Sequence, residues 1–136
     1  SKKGLGFMID FSALQSSTKT GKQIFELSEG DEVIGLKEIY GDNVIVVSTS
    51  LKMLIFSVNE LPLLKKGKGV RLQRYKEEAL LDAMIFSQDV KDDVIIKKIF
   101  PKNEDITFWF GKRGQVGKML PKKLLRKKMT KFEDLL

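Results

Sequence analysis

Leu54-Ile55-Phe56-Ser57-Val58-Asn59-Glu60-Leu61-Pro62-Leu63-Leu64-Lys65-Lys66-Gly67-Lys68-Gly69-Val70-Arg71-Leu72 reads as strand, turn, basic glycine loop and strand. A weaker copy stands 47 residues earlier, where Phe7, Ile9, Phe11 and Leu14 fall on Leu54, Phe56, Val58 and Leu61. With one residue of slippage, Gly21, Ile24 and Leu27 fall on Gly69, Leu72 and Tyr75. Repeats of roughly 40–50 residues built from short strands are a mark of propeller blades and similar arrays. Lys112-Arg113-Gly114 lies 47 residues after Lys65-Lys66-Gly67 and supports a third copy.

Strand signals dominate outward from this stretch. Alternation predicts strands over 7–11 and 22–27, and 33–40 follows the Glu29-Gly30-Asp31 turn. The turn Gly41-Asp42-Asn43 launches the β-branched run 44–48, which is rich enough to be central in a sheet. Ser48-Thr49-Ser50 connects it to a strand over 51–58. Strands over 80–86 and 94–100 flank the acidic turn Asp89-Val90-Lys91-Asp92-Asp93. The period then changes. Ile106, Trp109, Phe110 and Arg113 stand at helical spacing and predict a short helix over 105–118 with Asp105 near its N-cap, against a competing strand reading from Ile106-Thr107-Phe108-Trp109-Phe110. From Pro121 on, Leu125, Met129, Phe132 and Leu136 form an amphipathic helical stripe, able to dock on the body or on another chain. The fold class expected is all-β: four-stranded blades in a partial or broken β-propeller or pinwheel, with a short C-terminal helix. Residues 1–118 form the pinwheel-like domain of two to three blades, and 119–136 a basic tail. A closed ring usually needs at least four blades, so the ring is open or blades lie elsewhere.

Composition narrows the chemistry. The 136 residues are 42% hydrophobic and 32% charged, which fits a folded domain. With no cysteine and no histidine, disulfides, thiolate chemistry, Cys/His zinc sites and imidazole base catalysis are excluded. No apolar run reaches the ~20 residues of a membrane span, and no signal-peptide pattern opens the chain. The first residue is Ser rather than Met, the expectation for a piece of a longer protein. Of the net charge of +7, residues 111–136 carry all of it, with nine basic and two acidic side chains. A basic end on a neutral body suits a polyanion, although such ends also serve simply as solvated tails.

The central pieces resemble a known family. Asp42-Asn43-Val44-Ile45-Val46-Val47 with Leu51-Lys52-Met53-Leu54-Ile55-Phe56, then Glu60-Leu61-Pro62, then Gly67-Lys68-Gly69-Val70-Arg71-Leu72-Gln73-Arg74-Tyr75, and Leu81-Asp82-Ala83 are similar to the C-terminal domain of the A subunit of bacterial type IIA topoisomerases. Within it, the chain resembles topoisomerase IV more than gyrase. Gyrase carries Gln-Arg-Arg-Gly-Gly-Lys-Gly in the loop where this sequence has Leu64-Lys65-Lys66-Gly67-Lys68-Gly69. The resemblance implies a strand-swapped propeller that binds and bends duplex DNA on its rim for relaxation and unlinking. It also implies an upstream homodimer holding the catalytic tyrosine, a B subunit, ATP and Mg acting elsewhere in the holoenzyme, no cofactor here, and a bacterial cytoplasmic setting.

The expected DNA contacts are Lys65, Lys66, Gly67, Lys68, Gly69, Arg71, Arg74, Lys112, Arg113, Lys118, Lys122 and Lys123. Glycines let the backbone approach a phosphate with its N–H groups, and lysines supply charge. The alternative is a solvated turn that only needs positive φ. If 70–75 is extended, Arg71 and Arg74 lie on opposite faces; Arg71 is preferred, and Arg74 can pair with Glu77 or Glu78. Phe108-Trp109-Phe110 beside Lys112-Arg113 fits either a stacking platform or, preferably, hydrophobic closure of the last blade. Tyr40 and Tyr75 read as structural, and Asp89, Asp92 and Asp93 lack calcium-loop spacing. No catalytic residue and no metal ligand is expected. The rival functions are a protein-interaction module whose tail meets an acidic partner, and an RNA-associated β-domain.

Overall fold

Val44-Ile45-Val46-Val47 and Met53-Leu54-Ile55-Phe56 offer no polar side chain to water, so both strands require cover on both faces. A computed structural model describes residues 1–15, 21–87, 94–100 and 106–135, and gives them that cover. The strands are β1 (Leu5–Gly6), β2 (Asn43–Ser48), β3 (Lys52–Ser57), β4 (Val70–Arg71), β5 (Leu80–Phe86) and β6 (Lys118–Met119). Four of them form an antiparallel sheet in the order β5-β2-β3-β6, and β1 pairs with β4 in a separate two-stranded sheet. Register pairs Val44 with Phe56 and Ile85, and Ile45 with Ile55 and Met84, so alternate residues line opposite faces.

On one face Val44, Val46, Leu54, Phe56 and Ile85 pack with Leu72, Leu80, Leu61 and Tyr75, from the layer that carries β1 and β4. On the other, Ile45, Val47, Met53, Ile55, Met84 and Phe86 pack with Ile99, Trp109, Leu120, Leu124, Met129, Phe132 and Leu135. The C-terminal segment therefore docks on the body. It does so as helix α2 (Lys122–Arg126) and a 3-10 turn over Phe132–Leu135, separated where Lys128 takes φ 49°, rather than as one continuous helix. Leu136, at the end of the expected stripe, lies outside the described residues.

Four expected elements differ. Val94–Ile99 is helix α1, not a strand: Ile96, Ile99 and Phe100 fall three and four residues apart and meet the core, while Lys97 and Lys98 face water. The expected helix over 105–118 shrinks to a 3-10 turn, Ile106–Trp109. Gly111, Gly114 and Gly117 weaken a helix there, and Gly111 N–H instead donates to Ile55 O at 2.9 Å. The expected strand over 7–11 is a bridge at Met8 followed by a 3-10 turn, Phe11–Leu14. No strand forms over 33–40, and 22–27 is reduced to a bridge between Phe25 and Gly67. The acidic turn at 89–93 and the Asp105 cap lie outside the described residues.

The repeat survives in three dimensions as a hydrogen-bonding pattern. Met8 bridges Leu63, and 47 residues on, Ile55 bridges Phe110. β1 pairs Leu5 with Arg71 and Gly6 with Val70, while β3 pairs Lys52 with Met119 and Met53 with Lys118, an offset of 47 on one side and 48 on the other. Asp10 and Ser57, also 47 apart, cap equivalent 3-10 turns by accepting from Ser12 N–H and Asn59 N–H. Each repeat thus lends its early strand to the next, which is how strand-swapped blades interlock.

Candidate nucleic-acid interface

The basic loop is held by its glycines. Gly67 N–H donates to Ile24 O and Gly67 O accepts from Glu26 N–H, both at 2.9 Å. Gly69 has φ 76°, and a Cβ there would lie 2.5 Å from Gly6 O. The Gly67 N–H is therefore spent on the neighbouring segment and is not free for a phosphate. The glycines bring two chain segments together, and Lys65, Lys66 and Lys68 are left exposed on the outside.

The next repeat builds the same corner. Gly114 N–H donates to Leu72 O at 2.9 Å, and Arg74 N–H to Gln115 O at 3.0 Å. These match the Gly67–Ile24 and Glu26–Gly67 bonds at offsets of 47 or 48 residues. Lys112 occupies the place of Lys65 and is exposed. Arg113 occupies the place of Lys66 but works inward. Its Nε donates to Glu60 O at 3.0 Å, its Nη1 to Arg71 O at 2.8 Å, and its backbone N–H to Glu60 Oε1 at 3.1 Å. The guanidinium fork suits two carbonyls at once. Beneath it Gln73, with no exposed surface, donates through Nε2 to Lys52 O at 2.9 Å and Val116 O at 2.8 Å. Neither Glu60 nor Gln73 stood out in the sequence as a positioning residue; their signal was the repeat itself, which aligns the corners they tie.

Strand β4 ends at Arg71, so the expected opposition of Arg71 and Arg74 across an extended strand does not arise. Leu72 and Gln73 are both buried, and Arg71 and Arg74 both emerge. Arg74 lines a shallow cleft of about 400 Å³ with Phe108, Gln115 and Lys118. Lys118 Nζ stands 4.0 Å from the centroid of the exposed Phe108 ring, a cation–π contact. Trp109 is buried against Phe100, with ring centroids 5.2 Å apart, and its Nε1 donates to Met119 O at 3.0 Å. It closes the core, as the sequence reading preferred, and offers no face for stacking.

Lys122 and Lys123 are exposed in α2, above Leu124 in the core. They belong to the layer across the four-stranded sheet from the Leu64–Gly69 loop, and are joined to the Arg71–Lys118 group through edge strand β6. Among the described residues the ion pairs are Lys2–Glu32 and Lys37–Glu133, so none of these cationic side chains is neutralised by a carboxylate, and Arg74 does not pair with Glu77 or Glu78. Tyr75 is packed over Gly4, and burial, with Glu78 adding to it, pushes its phenol well above the ordinary range. Such a hydroxyl is a poor nucleophile. Among the described residues no helix is long and apolar enough to cross a membrane.

Known proteins share this arrangement. The A subunit of DNA topoisomerase 4 from Rickettsia felis is 36% identical over 121 residues, covering 87% of this chain and 16% of that protein. The A subunit of DNA topoisomerase 4 from Caulobacter vibrioides is 31% identical over 126 residues, covering 90% of this chain and 16% of that protein. This chain therefore spans about a sixth of the length of the curated relatives it matches. In fold it is similar to the E. coli ParC C-terminal domain, with a TM-score of 0.70 at 23% identity over 89% of this chain and 54% of that one. The family model described as DNA gyrase C-terminal domain, beta-propeller, matches residues 1–39 and 42–87, more than half of the sequence, and the chain belongs to that family.

Proposed function

We propose that this chain is a non-catalytic DNA-binding and DNA-bending module within the A subunit of a topoisomerase IV. The observation that carries the proposal is the recurrence of one exposed cationic corner on successive repeats: Lys65, Lys66 and Lys68 on one, Lys112 on the next, with Arg71 and Arg74 emerging between them. Equivalent positions on successive blades follow one rim, and unpaired cations along a rim suit a continuous polyanion. Lys118, Lys122 and Lys123 extend the charge along the sheet edge. Gly67 and Gly69 shape the corner, and Arg113 clamps it. Contacts of this kind hold phosphates and position DNA without reading bases. Curving the duplex along the rim costs a few kcal/mol, which those contacts offset.

In the longer protein, such a bend would present a transported duplex to a cleavage centre in the upstream, dimeric part of the same polypeptide, with the B subunit hydrolysing ATP. The setting would be the bacterial cytoplasm. Duplex binding by fluorescence anisotropy tests the reading. A dissociation constant of ~10⁻⁴–10⁻⁶ M at physiological salt, weakening steeply as salt rises, is expected. A salt-insensitive affinity, or preference for structured RNA in competition, would overturn it.

A further inference from the structure

The repeat that aligns the basic corners also shows which lane of the first blade stands empty. Residues 33–40 lie 47 residues before 80–87, so they occupy the place of β5. The anchoring bonds agree. Lys2 N–H donates to Glu32 O at 2.8 Å, as Thr49 N–H donates to Ala79 O at 2.9 Å. Gly4 N–H donates to Ser1 O at 2.9 Å, as Leu51 N–H donates to Ser48 O at 2.9 Å. Leu5 N–H donates to Ser1 Oγ at 3.2 Å, as Lys52 N–H donates to Ser48 Oγ at 3.2 Å. Residues 1–4 are thus the 48–51 turn over again, with φ 87° at Gly4 and φ 64° at Leu51, and Ser1 stands where β2 ends.

In the second blade β2 lies between β5 and β3 and pairs with both. In the first, no described residue fills the lane between 33–39 and β1, and 33–40 forms no strand. An apolar cleft of about 290 Å³ lies there, lined among others by Leu5, Phe7, Val33, Ile34, Leu36 and Ile39. Leu36 is 73% exposed and Val33 49%, whereas Ala83 and Leu80, their equivalents on β5, pack in the core.

We propose that this cleft takes one extended apolar β-strand, antiparallel to both 33–39 and β1, of the chemistry of Asn43-Val44-Ile45-Val46-Val47-Ser48. Its source is the stretch of the longer polypeptide that leads into Ser1. Strand addition of this kind draws affinity from main-chain hydrogen bonds and specificity from pockets for alternate side chains. The docked strand would satisfy the idle backbone groups of 33–39 and cover Val33 and Leu36. The inference rests on the repeat and does not depend on the DNA reading.

The test is amide hydrogen exchange on three proteins: the 136-residue chain, the chain extended before Ser1 by Asn-Val-Ile-Val-Val, and the chain extended by Asn-Asp-Ile-Asp-Val. The apolar extension is expected to slow exchange across 33–39 by at least tenfold, the acidic one to leave it unchanged, and Leu36→Lys, at an exposed site that leaves folding intact, to reverse most of the gain. Equal exchange in all three proteins would overturn the proposal. So would protection that appears only with rising concentration of the unextended chain, since the lane would then accept a second copy.

Discussion

Gly69 and Gly117, 48 residues apart, make the same close approach: a Cβ on Gly69 would lie 2.5 Å from Gly6 O, and one on Gly117 2.5 Å from Met53 O. Both have positive φ, 76° and 84°. Gly21, a further 48 residues upstream of Gly69, has φ 74° but meets nothing within 4 Å. Gly69→Ala and Gly117→Ala therefore combine left-handed strain with a backbone clash, and each is expected to cost more than the ~1–2 kcal/mol of strain alone, which is the cost expected for Gly21→Ala. Urea unfolding of the three variants checks this order.

Arg113 joins three chain segments through its fork. Arg113→Ala removes two donors from carbonyl groups and is expected to destabilise by about 1–3 kcal/mol, with Arg113→Lys recovering little of the loss. Lys112→Ala, at the neighbouring exposed site, should stay within about 0.5 kcal/mol of wild type. Thermal unfolding separates the two, and any loss of DNA affinity in Arg113→Ala should follow its loss of folded protein.

Phe132 is 1% exposed and shares a core with Phe86 and Ile99. Phe132→Ala is expected to cost about 3–5 kcal/mol. Deleting residues 121–136 would open that core as well as remove charge, so the contribution of the tail to binding is better read from Lys122→Gln/Lys123→Gln, whose circular dichroism should match wild type.

The carboxyl of Asp134 accepts from Thr130 Oγ1 at 2.7 Å, Lys131 N–H at 2.9 Å and Thr130 N–H at 3.0 Å. These bonds, the Thr130 hydroxyl first, hold it below the usual carboxylate range. A carboxyl with a depressed folded-state pKa adds stability above the unfolded pKa, near 4, and loses it as pH falls through the folded value. The 129–135 segment should therefore loosen first on acidification. Carbon-detected NMR titration is expected to place Asp134 below a free aspartate, and Thr130→Ala to bring it back up.

The sequence made β2, β3 and β5 readable because each is a run of adjacent apolar residues with turn residues at its ends, a local signal. The repeat spacing was readable too, and it organises the fold. What escaped depends on partners distant in the chain. Residues 33–40 have strand composition but no strand beside them. The Ile96, Ile99 and Phe100 spacing was outweighed by β-branched propensity until the core beneath α1 was visible. At the candidate interface the lysines were identifiable by charge, and each is exposed. The inward turn of Arg113 was not, since Lys66, its equivalent, differs only in where its neighbours place their carbonyl groups.

The most direct measurement is the slope of log binding constant against log salt concentration on a duplex of about 20 base pairs, for wild type, Lys65→Ala/Lys66→Ala/Lys68→Ala, and Lys112→Ala. If both corners touch one duplex, the slope should become shallower by about one unit for each phosphate-contacting lysine removed, in both variants. A slope unchanged from wild type in both would contradict a DNA path along the repeated corners.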